Sequence, residues 1–191
     1  MSTATRRMNY SYAEYVALED ESPTRHEYLA GEIYAMAGGT PDHAALAASV
    51  VGALRPLLRA GCRAFSADLR LRIAATGLST YADVAVVCGP TLRAADDRLA
   101  VTNPVLLVEV TSPSTESYDR GEKLRHYQLI PSVREVLFVS HRGPGLTLHR
   151  RQDDDTWLTL TAGPGESLEL VALAARLAVD DVYRDALEDA R

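Results

Sequence analysis

Lysine is almost absent from this chain. Of its 20 lysine and arginine residues, Lys123 alone is a lysine, and all the others are arginines. An ammonium group is a compact point charge that reaches a single oxygen, whereas a guanidinium is a wide, planar fork. The retained lysine suggests a site that accepts no guanidinium, and chance survival explains it equally well. The residues around Lys123 decide between these interpretations.

Long apolar runs and a cysteine framework are missing as well. No run approaches the roughly 18 residues of a membrane-spanning helix, and no signal-peptide core follows the N-terminal arginines. Cys62 and Cys88 stand alone, so we expect two reduced thiols in the core of a cytoplasmic protein, with no disulfide and no metal-ligand role. We expect no zinc, because ligand spacing is missing around His26, His126, His141 and His149.

Acidic residues are in excess, and the formal net charge is −6. Residues 153–191 hold ten acids and three arginines, whereas residues 1–152 hold seventeen cations and sixteen acids. A basic strip in the first part faces one nearby acid, Asp68, which we expect to pair with Arg70 or Arg72. The strip is compatible with phosphate binding, although a solvated helix face is the more frequent explanation. It consists of Arg55, Arg59, Arg63, Arg70 and Arg72.

The N-terminal part predicts a helix followed by a hairpin. Ser11 and Glu14 have capping-box spacing, which predicts a helix over about 12–19. The segment RHEYLAGEIYAMAGG reads as two strands joined by an Ala-Gly turn and ended by two glycines. The sequence therefore predicts a short helix and a hairpin before the next, longer helix.

Two periodicities follow the hairpin. Apolar residues at helical spacing predict a helix over about 42–59, which Pro56 kinks or ends early. The segment CRAFSADLRLRI then alternates apolar and polar residues. This alternation predicts one half-exposed strand with Arg70 and Arg72 on the same side.

The second half of the chain is rich in strands. YADVAVVC, PVLLVEV and REVLFVSH are almost wholly apolar, as expected of strands covered on both faces, and TESYDRGEKLRHYQLIP predicts a helix between the last two. Three amphipathic strands and a C-terminal helix over about 171–189 follow. This order predicts a single α/β domain over residues 1–191 with a mixed sheet. The core spans about 42–140 and a β/α extension about 145–191.

Two carboxylates interrupt the apolar strands. Glu109 lies inside VLLVEV, where an ionised group costs several kcal/mol unless it is paired. Asp83 precedes VAVVC, where an aspartate often only ends a turn. A strand-end position or a helix cap is the structural alternative for Glu109. Carboxylates at matching heights on adjacent strands can share one cation, and two such oxygen ligands suit Mg²⁺ or Mn²⁺.

Lys123 follows shortly after Glu109 in the chain. Asp119 and Glu122 have capping-box spacing, which predicts that a helix begins at Asp119 with Lys123 in or just after its first turn. Tyr127 lies one turn further along the same face. A routine i,i+4 ion pair between Asp119 and Lys123 is the structural alternative.

These segments carry a family resemblance. RHEYLAGEIYAMAGGTPDH, YADVAVVCGP and PVLLVEVTSPSTESYDRGEK resemble the bacterial Uma-type restriction endonuclease family of the PD-(D/E)XK nuclease superfamily. The similarity runs from about Tyr10 to the C-terminal helix. It implies a restriction-endonuclease-like core of helix, three strands, helix and strand, and Mg²⁺-dependent cleavage of a phosphodiester.

The resemblance also assigns the central site residues. Asp83 takes the place of the family's aspartate, and Glu109 that of the acidic residue of D/E-x-K. Ala82 stands where a proline is usual, and Thr111 stands where the motif's lysine would be. Such families are thought to carry the lysine on the following helix, where Lys123 is available.

Further candidates have weaker support. Glu27 and Glu32 flank the hairpin turn, where the family also has acids; an extra metal contact and a solvated hairpin acid are both open. His43 matches a family position and could contact a phosphate or a metal-bound water, or simply bond the helix N-terminus. Tyr127 is a supporting candidate beside Lys123. The candidates for nucleic-acid binding are Arg70, Arg72 and Arg120.

The leading interpretation is a Mg²⁺-dependent DNA endonuclease that acts as a homodimer through its C-terminal strands and helix, because cutting a duplex needs two sites. A second interpretation is a catalytically inactive binding or assembly module that retains the nuclease fold. The acidic net charge and the missing D/E-x-K lysine favour it. A third is a metal-dependent phosphoesterase that acts on RNA or a small phosphorylated molecule.

Overall fold

The computed structural model describes residues 9–36, 38–184 and 186–187. Two of its helices are α1 (Tyr12–Glu21) and α2 (Pro41–Leu54), the second extended by the 3₁₀ turn Arg55–Leu57. A third, which we call the π-turn helix, joins the segments Glu116–Tyr118, Asp119–Lys123 and Leu124–Gln128, and a short C-terminal helix spans Val179–Tyr183. The strands, in chain order, are β1 (His26–Leu29), β2 (Glu32–Ala35), β3 (Cys62–Ser66), β4 (Arg70–Ile73), β5 (Leu78–Tyr81), β6 (Val84–Cys88), β7 (Arg93–Ala94), β8 (Asp97–Val101), β9 (Leu106–Val110), β10 (Glu135–Val139), β11 (Leu146–Arg151), β12 (Trp157–Ala162), β13 (Ser167–Leu170) and β14 (Ala175–Ala178).

The central sheet is mixed, as the sequence predicts. Its spatial order is β12-β11-β10-β9-β6-β3, and β9 and β10 are parallel while the other neighbours are antiparallel. Both faces of its middle strands are buried, because α2 and the C-terminal elements cover one face and the π-turn helix covers the other. Val108 therefore faces α2, and Leu107 faces the π-turn helix. This two-sided cover explains the almost continuous apolar sequences.

A second sheet lies on the π-turn side of the molecule. Its order is β2-β1-β5-β4-β8-β7, and β13 and β14 form a separate ribbon. The turn between β1 and β2 is the predicted Ala-Gly pair, with Ala30 at φ 50° and Gly31 at φ 89°. Asn9 packs at 3.0 Å from the place where a Cβ would stand on Gly31, so glycine serves both the conformation and the close approach.

The first helices form where the sequence predicts them. Ser11 and Glu14 make the reciprocal hydrogen bonds of a capping box at the start of α1. The second helix stops at Leu54, and Pro56 lies in the 3₁₀ turn that follows. Leu46, Val50 and Leu54 are fully buried against the central sheet. Burial of one such side chain contributes about 1.5–3 kcal/mol.

Two secondary-structure predictions are wrong. The segment 62–73 is not one strand: β3 pairs with β6 in the central sheet, and β4 pairs with β5 in the second sheet. Over residues 171–184, the predicted C-terminal helix is replaced by a turn, by β14 and by the short helix Val179–Tyr183, and residues 185, 188 and 189 of that prediction lie outside the described residues. Leu177 of β14 is buried opposite Leu168 of β13, so pairing with a neighbouring strand outweighs the local helical preference.

The prediction of two reduced thiols is also wrong. Cys62 and Cys88 form a disulfide, because the antiparallel register of β3 and β6 places them directly opposite each other with Cα atoms 4.0 Å apart. The two cysteines therefore lend no support to a cytoplasmic location. None of the helices in the described ranges combines the length and the apolarity that crossing a bilayer requires.

Candidate active site

Glu109 is a buried carboxylate in the middle of the central sheet. It lies on β9 and is only 3% exposed. Its Oε1 atom is 3.0 Å from Nζ of Lys123 and accepts a hydrogen bond from the hydroxyl of Tyr127. Burial raises the pKa of Glu109 to about 8, and the ammonium of Lys123 limits that increase. An ionised carboxylate at such a position costs stability unless it is paired.

Lys123 is the cation that compensates this charge. It is 4% exposed, and its Nζ atom lies 3.5 Å from Glu27 and 3.8 Å from Asp119, in addition to Glu109. Nζ also donates to the carbonyl oxygen of Tyr81 at 3.0 Å. Burial would lower the pKa of the ammonium, but these carboxylates, Glu109 first, outweigh it and hold the pKa well above its ordinary value. One cation surrounded by three carboxylates leaves the site with negative charge.

A π turn brings Lys123 to this position. The helix begins at Glu116, so the prediction that it begins at Asp119 with a capping box is wrong. The N–H of Leu124 bonds to the carbonyl of Asp119, a wider turn than an α-helix makes. Asp119 and Lys123 are both buried as a result. Such turns inside helices occur frequently at functional sites.

Asp83 stands next to Glu109 at the start of the adjacent strand. Strands β6 and β9 are antiparallel, and Val84 of β6 lies opposite Val108 of β9. The next pair of opposite residues is Asp83 and Glu109, so these two lie side by side. Oδ2 of Asp83 accepts the backbone N–H of Val110 at 2.7 Å. The predicted juxtaposition of two carboxylates on neighbouring strands is therefore present in the structure.

His43 contacts Asp83 from the first turn of α2. Its Nε2 atom lies 3.3 Å from Oδ2 of Asp83, and this hydrogen bond is the main reason that the pKa of His43 is raised. The loop before the helix passes very close to the ring of His43, because a Cβ atom on Gly39 would be 2.8 Å from its Nδ1 atom. Thr40 caps the helix by accepting the N–H of His43. Glycine and cap together fix the ring against Asp83.

These groups line one cleft of about 300 Å³. Asp83 and Glu109 face it from the sheet, and Lys123 faces it from the π-turn helix. Within the described part of the chain, no group of three or more His, Cys, Asp or Glu side chains is arranged as a complete metal cage. Two carboxylates with open positions fit Mg²⁺ or Mn²⁺, which keep several waters and meet a substrate phosphate.

The supporting candidates differ in whether they contact the residues of the cleft. Glu27 contacts Lys123 and also accepts hydrogen bonds from the hydroxyl groups of Thr80 and Tyr118. Tyr127 is fully buried and holds Glu109. Glu32 is not among the side chains that line the cleft; it accepts a hydrogen bond from the hydroxyl of Tyr34.

Thr111 stands where the D/E-x-K lysine would be, and it makes its hydrogen bonds with other residues. Its hydroxyl bonds to Nδ1 of His141 at 2.9 Å, and its N–H bonds to the carbonyl of Val139. It is not among the residues that line the cleft, whereas Lys123 is. The cleft thus receives its ammonium from the helix.

The three candidate arginines are not brought together. Arg70 is 5% exposed, and its guanidinium bonds to Asp20, Asp97 and the hydroxyl of Tyr81. It therefore serves a buried network and not an open phosphate-binding surface. The expected partner of Arg70 or Arg72 was Asp68, but Asp68 pairs with Arg25 at 2.8 Å.

The other two arginines are also paired. Arg72 bonds to Asp96 and stacks on the ring of Tyr12 at 3.5 Å. Arg120 pairs with Glu116 and lies over the ring of Phe138. Neither one lines the cleft.

From the sequence, the Asp119–Lys123 contact was expected as an ordinary i,i+4 ion pair, but Asp119 was given no place at the site, and the contact of Lys123 with the carbonyl of Tyr81 was missed. In the structure Asp119 contacts Lys123 and also lines the cleft. The carbonyl of Tyr81 left no sequence signal, because any residue supplies the same atom.

The chain is similar to known proteins in sequence and in fold. A family model described as "Uma2: Putative restriction endonuclease" matches residues 12–180. Two uncharacterised proteins of Synechocystis sp., slr1290 and sll1609, are 37% and 32% identical and align over 90% and 83% of this chain and 90% and 89% of their own. The fold is similar to a crystal structure described as a "putative nuclease belonging to DUF820" from Anabaena variabilis, with a TM-score of 0.72 at 17% identity over 91% of this chain and 97% of that one.

Proposed function

The chain belongs to the Uma2 family, described as "Putative restriction endonuclease", and on that premise we propose that it is a Mg²⁺-dependent endonuclease that hydrolyses phosphodiester bonds in DNA. The observation that carries the proposal is the meeting of Asp83, Glu109 and Lys123 in one cleft, with Lys123 Nζ 3.0 Å from Glu109. Stability alone would not select a buried charge cluster that keeps an excess of carboxylates.

Asp83 and Glu109 are the residues that would hold the cation. A bound Mg²⁺ would supply Lewis acidity and a water of lowered pKa. The chain itself orients both ligands. The N–H of Val110 and the ring of His43 hold Asp83, and Tyr127 holds Glu109.

Lys123 has a separate task. Its ammonium is fixed by the carbonyl of Tyr81 and by Glu109, so its charge is already directed at the cleft before a substrate enters. There it would neutralise a non-bridging phosphate oxygen as negative charge develops in the transition state. A guanidinium is too broad for a site with this exposure, which accounts for the single lysine in a chain that otherwise uses arginine.

The test is nicking of supercoiled plasmid in a titration with Mg²⁺ and with Mn²⁺. We expect wild-type protein to nick, and Asp83→Asn and Lys123→Met to lose at least about a hundredfold in rate, as removal of one electrostatic group in an active site commonly costs. Asp155→Asn is the matched control, because Asp155 is an exposed acid in the β11–β12 turn. Nicking that survives unchanged in both site variants would contradict the proposal.

The plasmid assay also tests whether the protein acts as a dimer. Cutting both strands requires two sites, and we propose a homodimer in which the C-terminal strands meet, since β12 is an edge strand with Leu158 44% exposed. A dimer produces linear plasmid without accumulation of the nicked form. Metal uptake without any cleavage of DNA would instead support a binding module or a phosphoesterase with another substrate.

A further inference from the structure

The basic strip of the sequence divides into two parts in the structure. Arg70 and Arg72 pair with carboxylates, as described above. Arg55, Arg59 and Arg63 stay together and line a cavity of about 470 Å³ between the end of α2 and the edge strand β3, which we call the arginine pocket. Among the described residues that line this pocket, these three are the only charged ones.

The three arginines of the pocket keep their positive charge. Over residues 9–36, 38–184 and 186–187, none of them pairs with an aspartate or a glutamate. The local sequence explains this, because residues 43–67 contain no acidic residue. All three side chains are exposed at the surface. The pocket is therefore locally basic on a chain whose formal net charge is −6.

Two of the guanidinium groups are held by neutral oxygen atoms. Nη2 of Arg59 donates to the carbonyl of Ala172 at 3.2 Å, and Nη2 of Arg63 donates to the hydroxyl of Thr91. The guanidinium of Arg63 also lies over the ring of Phe65, 5.4 Å from its centroid. A guanidinium has several N–H donors in a rigid fork, so one such bond restrains the group and leaves most of its donors for an anion.

The arginine pocket lies at the far end of α2 from the candidate active site. His43 lines the active-site cleft from the first turn of α2, whereas Arg55 follows its last residue, Leu54. The step from residue 43 to residue 55 corresponds to about 18 Å of α-helix. One strand of a duplex carries a phosphate about every 3.4 Å along the axis, so this distance amounts to about five phosphates.

We propose that the arginine pocket binds phosphates of the DNA backbone, as a second contact outside the cleft, and this proposal rests on the proposed function for its substrate. A guanidinium fork matches two oxygens of one phosphate. Contacts with the backbone carry no sequence information, so the pocket positions DNA without reading it. The local positive charge offsets the repulsion between DNA and an acidic protein.

The salt dependence of binding counts the phosphates that the pocket contacts. Fluorescence anisotropy in EDTA, where binding is separate from cleavage, measures the affinity for a labelled duplex of about 20 base pairs at several salt concentrations. Each phosphate contact contributes about 0.9 to the slope of log K against log salt concentration. Arg59→Gln and Arg63→Gln should each reduce the slope by about one, and Arg59→Lys, which keeps the charge, should retain it.

Arg125→Gln is the charge-matched control. Arg125 is exposed on the π-turn helix, on the face of the central sheet opposite α2, and its substitution should leave the wild-type slope. Equal slopes in Arg125→Gln, Arg59→Gln and Arg63→Gln, or no binding of the duplex by wild type, overturn the proposal. Titration with inorganic tripolyphosphate distinguishes a free anion: if Arg59→Gln weakens binding of tripolyphosphate and leaves the slope for DNA unchanged, the backbone assignment is wrong.

The pocket and the nuclease can fail separately. A reduced slope in Arg59→Gln and Arg63→Gln, in a protein that never nicks DNA, would retain the pocket and reject the nuclease. Nicking by wild type, with a slope that neither substitution changes, would retain the nuclease and reject the pocket.

Discussion

At the scale of single residues, the decisive feature is a charge cluster that the fold would be more stable without. Lys123 compensates Glu109, Glu27 and Asp119 at distances of 3.0, 3.5 and 3.8 Å, and all four side chains are largely withdrawn from water. Breaking a buried pair by removal of one partner leaves uncompensated charge, which is costly. Lys123 therefore supports both the stability of the protein and its proposed activity.

Lys123→Met should destabilise the protein by about 3 kcal/mol, because the methionine fills similar space but leaves three carboxylates without their cation. Urea unfolding in EDTA measures the change. Arg25→Met is the control: it breaks the Arg25–Asp68 pair, whose side chains are 43% and 80% exposed, and should cost less than about 1 kcal/mol. Equal losses in the two variants would show that Lys123 is not a buried counter-charge.

At the scale of elements, the position of the site comes from the start of β6, the end of the antiparallel neighbour β9 and one irregular helix. Strands β6 and β9 were predicted from their apolar runs, and their pairing delivers Asp83 and Glu109 to one place. The π turn was not predicted, because the local sequence DRGEK has the spacing of an ordinary capped helix. From this wider turn, Lys123 makes its tertiary contacts with Glu27, Glu109 and the carbonyl of Tyr81.

The disulfide between Cys62 and Cys88 is also a feature of the elements, because it joins two strands. It links β3 and β6 across 26 residues and should contribute about 3 kcal/mol by restricting the unfolded chain. A Cys62→Ser/Cys88→Ser variant should lose that amount in urea unfolding without added reductant. Dithiothreitol should destabilise wild type to the same extent and leave the double variant unchanged. Two free thiols per chain in untreated protein, counted by thiol titration, would contradict the cross-link.

At the scale of the whole molecule, the middle of the central sheet could be predicted from sequence, whereas the second sheet, apart from the β1–β2 hairpin, could not. Continuous apolar runs identify strands such as β9 and β10, because both of their faces are covered. Strands β4 and β8 carry charged residues such as Arg70 and Asp97, which pair with each other inside the protein. Such burial is invisible before the partner strand is known, so Arg70 was read as a surface arginine.

The sequence points to Asp83, Glu109, Lys123 and Tyr127 through a family resemblance and an out-of-place charge, and the structure brings these four residues together. His43 was named as a supporting candidate, but its contact with Asp83 was not predicted, and neither was the hydrogen bond from Lys123 to the carbonyl of Tyr81. Both contacts depend on loop and backbone positions that no local pattern encodes.

Isothermal titration of Mn²⁺ into the metal-free protein tests the central claim most directly. The account predicts uptake of divalent cation by wild type and by Asp155→Asn, and loss of that uptake in Asp83→Asn and in Glu109→Gln. Circular dichroism establishes that each variant retains its fold. Absence of uptake by wild type, or equal uptake by Asp83→Asn, would contradict a cation site built from these two carboxylates.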